Sequence, residues 1–243
     1  MNRNDACINV AESAESTLYF RSEWEAFARD RHRQSVAREA VAGLTVHRVL
    51  DIGCGAGQQL RPFVEAHGTF GVGLDRSEDA GRIGRELFAT EQPGAHVVFL
   101  RGAAERLPFA ESRFDLIICR LALPYTDNKL ALAVMARVLR PGGALLLKFH
   151  HARYYTLKLR QALAAGMAKS ALHACRVLAA GALYHGTGRQ PRGRLSGGET
   201  FQTLWLLRRE LRVHGLHIRR VLADSVAATP SLLIARGEGI DQR

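Results

Sequence analysis

The sequence predicts an α/β fold, in which a doubly wound, mostly parallel seven-stranded sheet carries a helical insertion after its fifth strand. Three observations support this prediction. Apolar segments of strand length alternate with amphipathic segments, a glycine-rich turn follows the first apolar segment, and two short apolar segments lie near the end of the sequence. Strands and helices that alternate in this way build a parallel sheet with right-handed connections.

The individual elements follow from hydrophobic periodicity and turn residues. Residues 16–43 are predicted to form an N-terminal helical cap, because aromatic residues recur there every three or four positions. The first five strands are predicted near residues 48–52, 70–74, 96–100, 114–119 and 143–149. The helices between them are predicted at residues 57–67, 77–91 and 127–139. A helix at 201–215 and a pair of strands at 217–225 and 230–237 complete the sheet.

The regular alternation breaks at residues 151–200, which we interpret as a helical insertion within a single domain, 1–243. Alanine and leucine dominate residues 156–184, which predicts one helix or two helices that part at Gly166. An arginine-rich loop, residues 189–194, follows. It could bind a phosphate or carboxylate, because guanidinium groups bind such anions with paired hydrogen bonds, and a solvated loop is the alternative.

Cysteine and histidine usage argues against disulfides and metal sites. The four cysteines are far apart and form no C-x-x-C pair, and the ten histidines show no spacing of the H-E-x-x-H kind. We therefore predict a reduced, cytoplasmic protein with no metal site. The first residues do not resemble a signal peptide, and no apolar run reaches the roughly 18 residues that a membrane span needs.

The net charge of +11 is concentrated in the second part of the sequence. Residues 1–150 contain 19 basic and 18 acidic side chains, whereas residues 151–243 contain 15 and 5. This excess indicates an anionic partner, such as nucleic acid, a membrane surface or an acidic substrate, although a generally arginine-rich surface would give the same count. Membrane contact is not expected, because residues 157–183 offer no Trp or Phe as an interfacial anchor.

The glycine turn and a later aspartate predict a binding site for an adenosine-type ligand. Gly53, Gly55 and Gly57 follow the first predicted strand, and glycine allows a backbone to approach a ligand closely. Asp75 ends the next strand, where a carboxylate can accept hydrogen bonds from a ribose diol. Gln58 stands where the G-x-G-x-x-G motif of nicotinamide enzymes has its third glycine, which weakens the dinucleotide alternative without excluding it.

The segment DIGCGAG, residues 51–57, resembles motif I of class I S-adenosylmethionine-dependent methyltransferases. Residues 102–123 resemble the stretch of that family that leads into the fourth strand, and residues 138–150 resemble its fifth strand with the preceding turn. The resemblance covers residues 48–150 in the family's order and spacing. It implies a methyltransferase with S-adenosylmethionine as cofactor, in which the insertion forms a substrate lid and the N-terminal cap covers the cofactor.

The resemblance also implies which residues contact the cofactor. They are Asp51, Gly53, Cys54, Gly55, Gly57, Asp75, Arg76, Ala103, Ala104, Glu105, Cys119 and Arg120. Asp51 is expected to face the ammonium group of the cofactor and Arg120 to pair with its carboxylate or with a substrate anion. Ala103 departs from the Asp or Asn that the family often has there, so the backbone around Ala104, or another residue, would have to contact the adenine amino group.

His150 and His151, directly after the fifth predicted strand, are the candidate catalytic residues. Histidine is the usual general base at neutral pH. Because successive strand residues face opposite ways, at most one of the two is expected to point into the site. The alternative is that both are polar residues at a strand exit. Tyr125 and Arg120 are rival candidates for the pocket.

The sequence thus predicts methyl transfer to a small-molecule acceptor, which the basic second part allows to be anionic. Oxygen is the expected acceptor atom only because it is common. The segment CRLALPY, residues 119–125, differs from the N/D-P-P-Y motif of amino-methylating nucleic-acid enzymes. Two alternatives stay open: an RNA methyltransferase that uses the basic second part, and a protein that binds S-adenosylmethionine without catalysis. The oligomeric state is not predicted.

Overall fold

The computed structural model describes residues 3–65, 68–191 and 198–237, with side chains from residue 15 onward. Within this part of the chain the strands are β1 Arg48–Ile52, β2 Phe70–Asp75, β3 Val97–Arg101, β4 Phe114–Arg120, β5 Leu139–Lys148, β6 Leu216–Val221 and β7 Ser231–Arg236. They form one sheet in the order β3-β2-β1-β4-β5-β7-β6. The predicted doubly wound, mostly parallel, seven-stranded sheet is confirmed.

The chain divides into two compact units. The first contains Met1–Ala103 with Phe114–Ile118, and the second contains Ala104–Arg113 with Cys119–Arg243. In the first unit β1 pairs in parallel with β2 and β4, and β2 pairs in parallel with β3. Four of the five residues of β1 are buried, as expected for a parallel strand covered on both faces.

The helices of the first unit are α1 Arg3–Arg29, α2 Arg31–Ala40, α3 Arg61–Val64 and α4 Glu78–Glu91. The predicted cap is therefore two helices, separated at Asp30, whose carboxylate accepts the N–H of Arg33 and caps α2. Trp24 is buried and donates its indole N–H to Glu91 at 2.8 Å. This hydrogen bond links α1 to α4.

One predicted helix is much shorter than expected. The sequence predicts a helix over residues 57–67. Among the described residues of this segment only α3 is helical, and residues 66 and 67 lie outside the described residues. Gly57 has a φ of 82°, and the N–H of Leu60 donates to the Gly57 carbonyl at 2.9 Å, which closes a turn. The glycine-rich segment therefore continues as turns before the helix begins.

The second unit contains α5 Asn128–Val138, α6 Ala152–Ala164, α7 Ala168–Thr187 and α8 Leu204–Val213. The insertion is two helices that part at Gly166, which has a φ of 67°, and Tyr155, Val177 and Phe201 form a buried cluster beside them. β7 lies antiparallel to β5 and β6, so the predicted closing pair is confirmed.

Two further predicted segments are the arginine-rich loop and strand β5. Of the arginine-rich loop 189–194, residues 192–194 lie outside the described residues. Strand β5 begins at Leu139, four residues earlier than predicted, although its pairing with β7 begins only at Ala144. No helix in the described ranges is long and apolar enough to cross a membrane.

Candidate active site

The turn between β1 and α3 has a backbone that strongly favours glycine. Gly53, Gly55 and Gly57 have φ values of 68°, 52° and 82°, in the left-handed region where a β-carbon causes strain. A β-carbon at Gly57 would also lie 2.8 Å from the ring of Phe99. Both the dihedral angles and the packing therefore explain the glycines at these positions.

The N–H groups of this turn are largely used inside the protein. Those of Gly53 and Cys54 donate to the carbonyl of Leu74 at 2.8 and 3.2 Å. The N–H of Gly55 donates to the carboxylate of Asp75 at 3.0 Å. A pyrophosphate site relies on free N–H groups at such a turn and on the start of a full helix, whereas α3 has four residues. The geometry therefore favours an adenosine ligand without a pyrophosphate.

Asp75 is placed at the end of β2 with acceptor capacity to spare. Its Oδ2 accepts the N–H of Gly55, and its Oδ1 accepts the N–H of Ser77 at 2.9 Å. A carboxylate offers about four acceptor positions, so two remain for a ligand. That is the number a ribose diol requires, and the residues present thus fit the adenosyl group of S-adenosylmethionine.

The N-terminal cap reaches this turn. The ring of Phe20 would lie 3.4 Å from a β-carbon built on Gly55. Tyr19, which is 59% exposed, has a raised pKa because of partial burial and the nearby carboxylates of Glu23 and Asp75. Its hydroxyl therefore remains protonated, and the cap brings an aromatic edge and a hydrogen-bond donor to the turn.

The other predicted residues of the first unit differ in burial. Asp51 is 1% exposed, and the thiol of Cys54 is buried with a pKa well above its usual value, because of burial first and then the carboxylates of Asp51 and Asp75. Cys54 is therefore a neutral thiol and not a nucleophile. Arg76 is exposed and Ala103 is half-buried.

Three predicted cofactor residues of the second unit have structural roles or are buried. Ala104 is 5% exposed, and Cys119 is fully buried. The carboxylate of Glu105 accepts the N–H of Asp127 at 2.8 Å, immediately before α5 begins. The roles of Ala104, Glu105 and Cys119 as cofactor contacts therefore remain predictions.

Arg120 belongs to an ion-pair cluster that the sequence did not reveal. Its guanidinium contacts the carboxylate of Asp224 and donates to Ser231 at 3.3 Å. Lys148 donates to the same carboxylate at 3.0 Å. Burial alone would raise the pKa of Asp224, but the two cations outweigh it and lower that pKa to about 2. Arg120 thus has an internal partner, and its contact with a cofactor or substrate carboxylate remains a prediction.

The two candidate histidines have different environments. His150 is 6% exposed, and its ring stacks on Tyr154 with 3.9 Å between the ring centres. His151 lies at the start of α6, where its Nδ1 accepts the N–H of Arg153 at 3.3 Å and so caps the helix. The pKa of each is lowered mainly by burial. His151 thus has a structural role at the start of α6, whereas His150 is buried among aromatic side chains.

His150 also belongs to a group of polar side chains that sequence analysis missed. Its Nδ1 lies 3.1 Å from the hydroxyl of Tyr155, which donates to Glu199 at 2.5 Å. Nε2 of His173 lies 3.0 Å from the other oxygen of Glu199. One signal was available, because Glu199 is the only acidic residue between Asp127 and Glu210 in the sequence.

Comparison with known proteins assigns the central segment. Residues 49–143 match the family model described as a methyltransferase domain. The chain is 38% identical over 110 residues to the uncharacterized methyltransferase YcgJ of Bacillus subtilis, a match that covers 44% of this chain and 42% of YcgJ. It is also 38% identical over 104 residues to the ubiquinone/menaquinone biosynthesis C-methyltransferase UbiE of Saccharophagus degradans, with 42% of each covered. The matches thus span less than half the length of these relatives.

A solved structure supports the fold over a longer part of the chain. Magnesium protoporphyrin IX methyltransferase ChlM from Synechocystis PCC 6803 with bound SAH superposes with a TM-score of 0.57, covering 84% of each chain. At 20% identity this likeness concerns the fold alone. Residues 49–143 thus match a methyltransferase domain, and the strand order and the glycine turn agree with the class I S-adenosylmethionine-dependent family that the sequence resembles.

Proposed function

We propose that this protein transfers a methyl group from S-adenosylmethionine to a small-molecule acceptor. The family match of residues 49–143 supports the reaction class. The observation that carries the proposal for this chain is the position of Asp75, which holds the glycine turn through Gly55 and keeps two acceptor positions for ribose hydroxyls.

The proposed cofactor site uses residues of the first unit in distinct roles. Asp75 binds the ribose, Asp51 faces the ammonium group, and the glycine turn allows the backbone to approach the ligand. When bound, S-adenosylmethionine supplies a methyl group on a positively charged sulfur that leaves as a neutral thioether. Gly53, Cys54, Gly57, Arg76, Ala103, Ala104, Glu105, Cys119 and Arg120 remain proposed cofactor contacts.

The two helical segments that flank the matched domain have proposed roles as covers. The cap, residues 16–43, is supported as a cofactor cover by the contact of Phe20 with the glycine turn. The insertion, residues 151–200, is proposed as a substrate lid because its Tyr154 and Tyr155 contact His150. We regard both as parts of a single domain, 1–243.

The acceptor class rests on two lines of support. The name of UbiE refers to ubiquinone and menaquinone biosynthesis, and the name of ChlM refers to magnesium protoporphyrin IX. Both names thus refer to small molecules. The basic excess of residues 151–243, with 15 basic against 5 acidic side chains, favours an acceptor that carries negative charge. Oxygen is our proposed acceptor atom, and the name of UbiE makes carbon the alternative.

Calorimetry with matched variants tests the cofactor assignment. Asp75→Ala is expected to abolish measurable binding of S-adenosylmethionine, and Asp75→Asn is expected to weaken it strongly. Glu78→Ala is the control, because it removes an equal charge at an exposed carboxylate that pairs with exposed Arg101. Thermal melts identify any variant that fails to fold. Binding of wild-type strength in a folded Asp75→Ala variant would contradict the assignment.

A transfer assay then separates an enzyme from a protein that only binds. The wild-type protein is incubated with S-adenosylmethionine labelled in its methyl group and with a cell extract divided into small-molecule and RNA fractions. We expect label in the small-molecule fraction. Label in the RNA fraction alone, or no transfer despite cofactor binding, would contradict the proposed acceptor class or the catalytic role respectively.

A further inference from the structure

Four side chains of the second unit form one hydrogen-bonded series, called here the Tyr155 network: His173, Glu199, Tyr155 and His150. The distances along it are 3.0 Å, 2.5 Å and 3.1 Å. Tyr155 is 1% exposed and His150 is 6% exposed, so water competes little with the bond between them, whereas the side chain of His173 at the other end is 42% exposed. The members come from the end of β5, from α6, from α7 and from the segment before α8, which makes the network a product of tertiary packing.

The direction of each hydrogen bond follows from what each group can donate. An ionised carboxylate only accepts, so Glu199 receives a proton donor from Tyr155 and another from Nε2 of His173. Tyr155 has a single O–H, and it is used on Glu199. Toward Nδ1 of His150 the phenol oxygen can therefore only accept, and Nδ1 must carry a hydrogen.

The surroundings of His150 keep its ring neutral. Its pKa is lowered by burial first, and Lys158 lowers it further, while Glu199 acts in the opposite direction. Tyr154 stacks on one face, and Tyr125 approaches edge-on with 6.5 Å between ring centres. A neutral imidazole that carries its hydrogen on Nδ1 has an unprotonated Nε2.

The unprotonated nitrogen lies outside the network. Within the described residues no hydrogen bond reaches Nε2 of His150, whereas Nδ1 on the opposite side of the ring is held by Tyr155. Although two histidines and a glutamate take part, the described residues contain no group of three side chains placed to hold a metal ion.

We propose that Tyr155 and Glu199 are positioning residues that hold His150 in its Nδ1–H tautomer, so that Nε2 acts as the general base toward a hydroxyl or amine acceptor. The base role rests on the proposed methyl transfer. The lone pair of the acceptor forms the bond to the methyl carbon, and the electron pair of the broken S–C bond stays on the departing sulfur. The acceptor proton moves to Nε2, and the resulting imidazolium, stabilised through Nδ1–H by Tyr155 and Glu199, later releases it to water.

The tautomer can be measured without any assay of activity. In protein labelled with ¹⁵N-histidine, long-range ¹H–¹⁵N correlation spectra distinguish the two neutral tautomers, and His150→Gln identifies the signals of His150. We expect Nδ1–H in the wild type at neutral pH, and a change toward Nε2–H in Tyr155→Phe, which removes the oxygen that accepts from Nδ1 at 3.1 Å and leaves only the Glu199 carboxylate, 4.0 Å away, among the described residues. Tyr154→Phe is the matched control, because it removes a neighbouring hydroxyl outside the network and should preserve the wild-type tautomer.

Two results would overturn the proposal: an Nε2–H tautomer in the wild type, or an unchanged Nδ1–H tautomer in folded Tyr155→Phe. In the enzyme assay we expect Tyr155→Phe to lose about 10- to 100-fold in kcat with unchanged cofactor affinity. An unchanged kcat would refute the base role. Failure of the wild type to bind S-adenosylmethionine would instead refute the proposed function, while the tautomer measurement would still decide on the network.

Discussion

The carboxylate of Asp75 accepts the N–H of Gly55 at 3.0 Å, so the end of the second strand holds the turn that follows the first. The same carboxylate accepts the N–H of Ser77, directly before α4. One side chain thus connects the glycine turn, β2 and the start of a helix, and it does so with acceptor positions left for a ligand. Local structure and ligand binding are therefore expected to fail together when Asp75 is replaced.

Replacing Gly57 tests whether the turn depends on both its backbone angles and its packing. Gly57→Ala should destabilise the protein by about 2 to 5 kcal/mol, since a left-handed φ is costly for alanine and the new methyl group meets Phe99 at 2.8 Å. Gly94→Ala is the control, because its φ of 99° is similarly unfavourable but nothing lies within 4 Å. That control should cost only about 1 to 2 kcal/mol. Equal losses of unfolding free energy in urea would show that packing against Phe99 does not matter.

Asp224 should make stability depend on pH in the acidic range. Its pKa is lowered from 3.8 to about 2, so its ion pairs stabilise the folded state fully above about pH 5 and progressively less as the pH falls toward 2. The shift corresponds to roughly 2 kcal/mol. Urea unfolding at pH 7 and pH 3 should therefore show a smaller pH dependence in Asp224→Asn than in the wild type. An identical pH dependence in both proteins would be inconsistent with the ion pairs of Arg120 and Lys148.

The charge of Glu199 should influence the titration of His150. Glu199 favours the imidazolium, so Glu199→Gln is expected to lower the pKa of His150 further, and the acidic limb of the pH–rate profile should move to lower pH. Glu210→Gln is a matched control, since Glu210 also accepts from a buried tyrosine, Tyr184, but is not among the charges that shift His150. NMR titration of His150 measures both variants, and a pKa that stays constant or rises in Glu199→Gln would count against the network.

Much of the fold was predictable because its signals are local. Strand β1 was predicted at its observed limits, since a strand buried on both faces is a continuous apolar run. The division of the insertion at Gly166 was one of two predicted alternatives, and the structure selects it because glycine readily takes the left-handed conformation that follows α6. The helix expected at 57–67 was wrong over its first residues, because turn hydrogen bonds between neighbouring residues took the place of helical ones.

The roles of several candidate residues could not be predicted from the sequence. Because His150 and His151 are neighbours at the exit of a strand, the sequence pattern did not distinguish their roles. Tertiary packing places His150 in a buried network and His151 at a helix cap. Arg120 was expected to meet a ligand, yet its observed partner is Asp224, on a loop more than a hundred positions later. Long-range partners of this kind depend on how the elements pack, and no local pattern encodes them.

The sequence by itself determined the class of the fold, the glycine turn and the position of the carboxylate that we propose binds an adenosyl ligand. These features depend on periodicity, on allowed backbone angles and on spacing along one stretch of chain. Only the tertiary structure decided which histidine joins a buried network and which groups orient its ring. That decision requires Tyr155, Glu199 and His173 to be brought together from separate helices and loops, and the burial of apolar surface between those elements is what brings them there.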